Sequence, residues 1–317
     1  MVDTAQTYRD WARFEARGSS ALYEDWAASL AADPALLALV EQLPRARRQP
    51  NLVFAAARAA GAPLLPYPAV RDWLLEHWAQ LAAIALTRTT QTNEAGRCAV
   101  LLPALARIDG PIALIEVGAS AGLCLYPDRY SYRYRSPEGL RVVDPPAGAS
   151  PVVVECAIDD VALVPAGVPD VVWRAGIDLN PLDVTSPDDV AWLRTLIWPE
   201  HAHRRDRLDA AVSLAATDPP HLVRGDLLGE LDALLDRAPA GARIVVQHSA
   251  VLLYVDAPDR QRFVDRVTGL DGAWLANEAP GVLAATSHLP HDGRFVLSVD
   301  GAPVARTHPH GERYSSL

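Results

Sequence analysis

The apolar run Ile112-Ala-Leu-Ile ends in Glu116 and then breaks into Val117-Gly118-Ala-Ser120-Ala-Gly122. Two chemistries fit those residues. Read as Gly118-x-Ser120-x-Gly122, the segment puts a serine on a sharp turn after a strand, which exposes a nucleophilic hydroxyl for acyl transfer. Read as Glu116-x-Gly118-x-x-x-Gly122, it is a strand-end carboxylate followed by glycines that let backbone lie against a nucleoside cofactor. A carboxylate at that place is costly in a core and sensible where it meets the charged end of a ligand.

Further polar residues stand at the ends of apolar runs. Asp178 closes the run 171–177 within Gly-Ile-Asp-Leu-Asn-Pro and is suited to take two ribose hydroxyls. It lies 56 residues beyond Gly122, against about 20 in a plain nucleotide-binding unit. Asp144, 22 residues beyond Gly122, is the alternative, but Pro145-Pro146 follow it in place of a helix. Asp226, after His221–Gly225, is expected near an adenine. The competing assignment for Asp178 and Asp226 is helix capping. His248 ends another apolar strand and is a candidate general base. Asn93 and Glu94 precede the first strand by one helix, and Asn93 and Arg97, four apart, share a face suited to closing over a site. His201 and His203 fall in a helical stretch and point apart, and Cys98, Cys124 and Cys156 are scattered, so no metal is assigned.

Residues 1–108 carry helical periodicity, with Leu22, Trp26 and Leu30 in one stripe and Trp73, Leu74, Trp78, Leu81 and Ile84 in another. From Pro111 strands alternate with helices: strands at 112–117, 171–177, 221–226, 243–248, 273–277 and 295–299, helices over 188–216 (interrupted at Pro199), 227–237 and 258–267. This pattern predicts an α/β fold: a Rossmann-like, mostly parallel sheet with helices on both faces, preceded by a helical N-terminal region. The expected domains are 1–108, helical; 109–305, the sheet domain, with an insertion at about 126–170; and 306–317, a C-terminal tail. In the insertion Tyr130, Tyr132 and Tyr134 alternate as on one strand face; with the N-terminal helices it is expected to shape an acceptor pocket.

The order of elements decides between the two chemistries. A nucleophile elbow tops a sheet already laid down and leads into a firm helix. Here the preceding residues are helical and Pro127 cuts the following helix short. Ser120, Asp226 and His248 occur in the order of a hydrolase relay, an order that a chain rich in aspartate meets by chance. The set Gln91-Thr-Asn93-Glu94-x-x-Arg97, Glu116-Val-Gly-Ala-Ser-Ala-Gly-Leu123, Asp128-Arg-Tyr130, Gly176-Ile-Asp-Leu-Asn-Pro-Leu-Asp183, Trp198-Pro, Gly225-Asp226 and His248-Ser249 resembles a bacterial family of unknown function common in actinobacteria, over roughly residues 8–300. That family transfers no reaction. The sheet portion also looks like the Rossmann-like S-adenosylmethionine-dependent methyltransferases. The resemblance implies that Glu116, Gly118, Ser120, Gly122, Asp178 and Asp226 bind S-adenosylmethionine, with His248, Asn93 and Glu94 as catalytic candidates. The alternatives are a serine hydrolase using Ser120 and a non-catalytic ligand-binding protein of methyltransferase-like fold.

Composition narrows the partners. The 317 residues carry a formal charge of −10, which favours a small-molecule partner over nucleic acid. All 29 basic residues are arginine, which excludes Schiff-base chemistry and the lysine-bearing phosphate loop. No uncharged apolar run approaches ~18–20 residues, and the N-terminal residues lack the pattern of a secretory signal. A cytoplasmic protein without membrane association is expected.

Overall fold

The computed structural model describes residues 3–317. Six helices come first: α1 (Thr4–Trp11), α2 (Ala21–Leu30), α3 (Pro34–Val40), α4 (Pro50–Ala59), α5 (Tyr67–Glu76) and α6 (Trp78–Thr87). Helix α7 (Cys98–Leu105) leads into β1 (Pro111–Val117), and β2 (Ser131–Ser136), β3 (Gly139–Val143), β4 (Val153–Ile158) and β5 (Asp170–Asp178) follow. Then come α8 (Pro187–Leu196), α9 (Ala202–Ala216), β6 (His221–Arg224), α10 (Leu227–Leu235), β7 (Arg243–Ser249), α11 (Ala257–Thr268), β8 (Gly272–Glu278), β9 (Phe295–Val299), β10 (Ala302–Thr307) and β11 (Arg313–Ser316). Among the described residues no strand precedes Pro111, and no helix is long and apolar enough to cross a membrane.

The chain divides into two compact units, residues 1–92 with 187–206, and residues 93–186 with 207–317. The first unit is helical. Side-chain oxygens of Asp3, Ser20 and Asp33 cap α1, α2 and α3, and prolines open α3 and α4 where a missing N–H costs nothing. Its core is aromatic: Phe54 lies edge-on to Tyr8 and Trp26, and the Trp11 and Trp198 rings are 5.2 Å apart. Helix α7, which the sequence groups with the helices before it, belongs to the second unit.

The second unit is built on one eleven-stranded sheet of order β3-β2-β4-β11-β10-β9-β8-β7-β1-β5-β6. The sheet is mixed, where a mostly parallel one is expected from the strand–helix alternation. A block of five strands, β6-β5-β1-β7-β8, is parallel throughout. Antiparallel pairing enters at β8–β9, β9–β10, β10–β11 and β2–β3. The β9–β10 hairpin turns on Asp300-Gly301, both at positive φ, the two-residue turn whose backbone twist suits a hairpin. The segment 306–317, expected as a tail, instead ends β10 and supplies β11, which pairs with both β10 and β4. Arg-Tyr-Ser-Ser carries no apolar run; its neighbours make it a strand.

Strand β1 lies between β5 and β7, and Ile112–Val117 are all buried, as a strand covered on both faces requires. One face packs Ile115, Val117, Val246, Trp274 and Ala276 against Leu227, Leu231, Phe263 and Val267 of α10 and α11. The opposite face carries Glu116, Gln247 and Asn277. The expected acceptor-shaping role of the tyrosines is not what the packing shows. Tyr126, Tyr130, Tyr132 and Tyr134 are buried, and their hydroxyls donate to the main-chain carbonyls of Asp218, Leu123, Pro127 and Ala99. They tie the insertion to the turn after β1, to α7 and to the loop before β6.

Candidate functional site

Strand order reverses beside β1: the chain steps outward to β5 and β6, then crosses to β7 and β8 on the other side. In open α/β sheets the crevice beyond the strand carboxyl ends at such a reversal is where ligands bind. The residues meeting there are Glu116 and the turn after β1, Asp178 at the tip of β5, Gln247 to Ala250 ending β7, and Asn277-Glu278 ending β8.

The turn after β1 is held by its own chain. Gly118 and Ala119 donate their N–H groups to the Ile177 carbonyl at 2.8 and 3.0 Å, and Gly122 donates to Ala119 at 2.7 Å. Ser120 N–H donates to Asp178 Oδ2 at 2.8 Å, and Leu123 N–H to Asn93 Oδ1 at 2.7 Å. Asp178 Oδ1 also accepts from Asn180 N–H at 2.8 Å. Asp178 and Asn93, singled out in the sequence for a ligand, are therefore both part of the turn's scaffold. Asp144 is not near it: it follows edge strand β3, eight strands from β1, and pairs with Arg133 at 2.9 Å.

Gly118 has φ +69°, and a Cβ there would lie 2.3 Å from Val251 Cγ2. At Gly122, φ +74°, it would lie 2.7 Å from Pro220 Cγ. The glycines are expected to let backbone lie against a cofactor; beside Gly118 that space holds Val251. The loop carrying Val251 is fixed by Glu278, whose Oε1 accepts from the N–H groups of Val251 and Leu252 at 2.9 and 3.1 Å.

Glu278 Oε1 also meets His248 Nδ1 at 2.7 Å, while Trp274 Nε1–H donates to His248 Nε2 at 3.0 Å. An indole nitrogen can only donate, so Nε2 is unprotonated and Nδ1–H points at the carboxylate. His248 is buried, on the sheet face packed by Phe263. Both ring nitrogens are committed, which corrects its reading as a general base. It also removes the relay Ser120–Asp226–His248, since Asp226 is exposed and caps α10 through Leu228 N–H at 2.8 Å. Capping, the competing assignment, is what Asp226 does. Ser120 has the positive φ of an elbow, 53°, but is buried and leads only into the short 3-10 turn Leu123–Leu125.

Glu94 is buried, accepts from Gly96 N–H at 3.0 Å and pairs with Arg207 Nη2 at 2.9 Å. Its carbonyl takes the Cys124 thiol at 3.3 Å. It thus anchors the approach to α7. Arg97 donates from Nη1 to the Ser249 carbonyl at 3.2 Å and from Nε to that of Pro309 at 2.9 Å. Among the described residues no group of three or more His, Cys, Asp and Glu could hold a metal ion.

Glu116 is 5% exposed, and its Oε2 has no hydrogen-bond partner. Burial pushes its carboxyl well above the ordinary carboxylate range; neighbouring Cys124 adds to this, Arg97 opposes it and Asp178 adds again. Beside it, the register partner Gln247 donates from Nε2 to the Cys124 carbonyl at 2.9 Å and leaves Oε1 without a donor. Further along the same face Asn277 Nδ2 donates to Ser249 Oγ at 2.9 Å, and Thr307 Oγ1 donates to Asn277 Oδ1 at 2.6 Å. Sequence reasoning missed Gln247, Asn277 and Glu278. Their signal was available: polar residues that directly follow the apolar runs Ile244–Val246 and Trp274–Ala276.

Residues 5–315 match the family described as an uncharacterized protein conserved in bacteria (DUF2332), and the chain belongs to it. No curated protein and no solved structure matches the chain.

Proposed function

We propose that this member of the family binds S-adenosylmethionine in the crevice beside β1 and transfers its methyl group to a small molecule. Numbered in chain order, the five parallel strands run 3-2-1-4-5 across the sheet, the first part of the doubly wound order that places a nucleotide at the reversal. The observation that carries the reading is Asp178: an acid at the tip of the second strand, hydrogen-bonded to the glycine turn of the first. The turn spends the N–H groups of Gly118, Ala119, Ser120, Gly122 and Leu123 within the chain. A dinucleotide's pyrophosphate is held by such groups, so a nucleoside without phosphates suits this turn better.

Under this reading Asp178 takes the ribose hydroxyls, Ser120 borders the nucleoside, and Asn93 keeps the turn in place. The cofactor supplies an electrophilic methyl group. What the protein adds is proximity and alignment, worth up to ~7–11 kcal/mol of a barrier. The commitment of His248 to Glu278 and Trp274 favours a second reading, in which the same crevice binds its ligand without transfer.

Calorimetric titration with S-adenosylmethionine, S-adenosylhomocysteine and NAD tests the proposal. One-to-one binding of the first two, lost in Asp178→Ala, with no NAD binding, is the expected result. Binding of NAD alone, or of none of the three, overturns it. Methyl transfer to an acceptor, once binding is established, separates the two readings.

A further inference from the structure

Glu116 and Gln247 are register partners on the adjacent parallel strands β1 and β7, so their side chains leave the same face of the sheet side by side. The amide orientation of Gln247 is fixed, because only its NH2 group can donate to the Cys124 carbonyl. Its Oε1 is therefore an acceptor, and it is buried without a donor, as is Glu116 Oε2. Two neighbouring buried acceptors without a donor are an arrangement that folded proteins avoid. An ionised Glu116 would add an unneutralised charge to it. The groups facing Glu116 do not supply what is missing. Arg97 is the cation among them, and it donates to the carbonyls of Ser249 and Pro309; Cys124 and Asp178 disfavour the anion.

We infer that Glu116 carries a proton in the free protein and donates it to Gln247 Oε1, so that a cationic ligand entering the crevice displaces that proton to solvent. One proton satisfies both oxygens. The displacement balances as a carboxylic acid and a cation giving a carboxylate–cation pair and one proton taken up by the buffer. The ligand-linked half rests on the reading above, in which the arriving cation is the ammonium end of S-adenosylmethionine. The proton itself does not rest on it. It means that the end of β1 greets its ligand as an uncharged acid, and that binding tightens as pH rises.

Infrared spectroscopy of the folded protein tests the proton without any cofactor. A protonated carboxyl C=O band is expected near neutral pH, lost in Glu116→Gln and shifted in Gln247→Leu, which removes its acceptor. Should Glu116→Gln not fold, wild-type protein with 13C-labelled glutamate, titrated upward in pH, must show that band converting to carboxylate. Absence of the band overturns the inference whatever the cofactor does. Calorimetry with S-adenosylmethionine in buffers of different ionisation enthalpy is then expected to show release of about one proton per site, absent in Glu116→Gln. Binding with no proton release overturns the ligand-linked half. If S-adenosylmethionine does not bind, the functional reading and that half fall together, and the band still decides the proton.

Discussion

Replacing Gly118 by alanine asks whether the glycine turn is shaped by a ligand or by the protein. The new Cβ would stand 2.3 Å from Val251 Cγ2, with the backbone at φ +69°. Holding a non-glycine residue in the left-handed region costs about 1–2 kcal/mol, and forcing a methyl group into occupied space adds about 1–3 kcal/mol. Gly118→Ala is therefore expected to lose roughly 2–5 kcal/mol, the sum of these two effects. Val251→Ala alone removes two methyl groups from a half-buried side chain and should cost about 1 kcal/mol. In the double variant the clash disappears and only the backbone strain and the lost methyls remain. The two substitutions should then couple favourably, by about 1–3 kcal/mol, within the range seen for residues in contact. Urea unfolding followed by tryptophan fluorescence measures all four proteins, with an unchanged slope showing that the unfolded state is not the cause. Additivity within ~0.5 kcal/mol would mean that Val251 does not occupy the space beside Gly118, and would return that space to a ligand.

Asp178→Ala removes one charge-assisted contact to a nucleoside, so its dissociation constant should rise roughly 10- to 150-fold, from about 1.5–3 kcal/mol; calorimetry showing no change would remove Asp178 from the site. Ser120→Ala should weaken cofactor binding no more than roughly 2- to 13-fold, and fluorophosphonate probes should leave the protein unlabelled; stoichiometric labelling at Ser120 would restore the hydrolase. Glu278→Ala strands three donors now held by one oxygen, from His248, Val251 and Leu252, and should cost roughly 3–6 kcal/mol in urea unfolding; a loss below ~1 kcal/mol would show that these bonds matter little. The Glu116 carboxyl is raised in the folded protein, so its stability contribution is complete below the unfolded value and fades as pH climbs toward the folded one. Wild-type stability relative to Glu116→Gln should therefore fall with rising pH by up to about 1.4 kcal/mol per unit; a pH-independent difference would contradict the raised carboxyl.

Much of the second unit was legible because parallel strands buried on both faces announce themselves as apolar runs. Ile112–Val117 and Arg243–His248 could be read directly, as could the helices between strands. The strands that were missed lack that signal. Arg313–Ser316 is polar, and Gly139–Val143 is exposed over most of its length; pairing makes both of them strands. The Asp300-Gly301 turn was a local hairpin signal, and weighing it would have shown that the sheet leaves the parallel pattern after β8. At the site, residues around β1 could be named from the sequence, but not the contacts that hold them. Asn93 and Asp178 were assigned by type, and the hydrogen bonds that commit them to the turn depend on contacts across 30 and 58 residues. His248 was read from its place at a strand end. Its spent nitrogens come from Trp274 and Glu278, which reach it only once β8 pairs with β7.

The same long-range contacts narrow what the crevice can recognise. A glycine turn with open N–H groups is a phosphate cradle, and specificity there comes from backbone. This turn has turned those groups inward, onto Ile177, Ala119, Asp178 and Asn93. Recognition is left to side chains at the strand ends, and those nearest the turn are acids and amides: Glu116, Asp178 and Gln247. Such a set suits a ligand rich in donors, with hydroxyls and an ammonium group, and repels one that presents phosphates. An anionic ligand would have to bring its charge beside Asp178, and Arg97, the cation facing Glu116, already donates to the Ser249 and Pro309 carbonyls. The electrostatics of the strand ends and the closed hydrogen bonding of the turn therefore both disfavour a phosphate-bearing ligand, by independent physical routes.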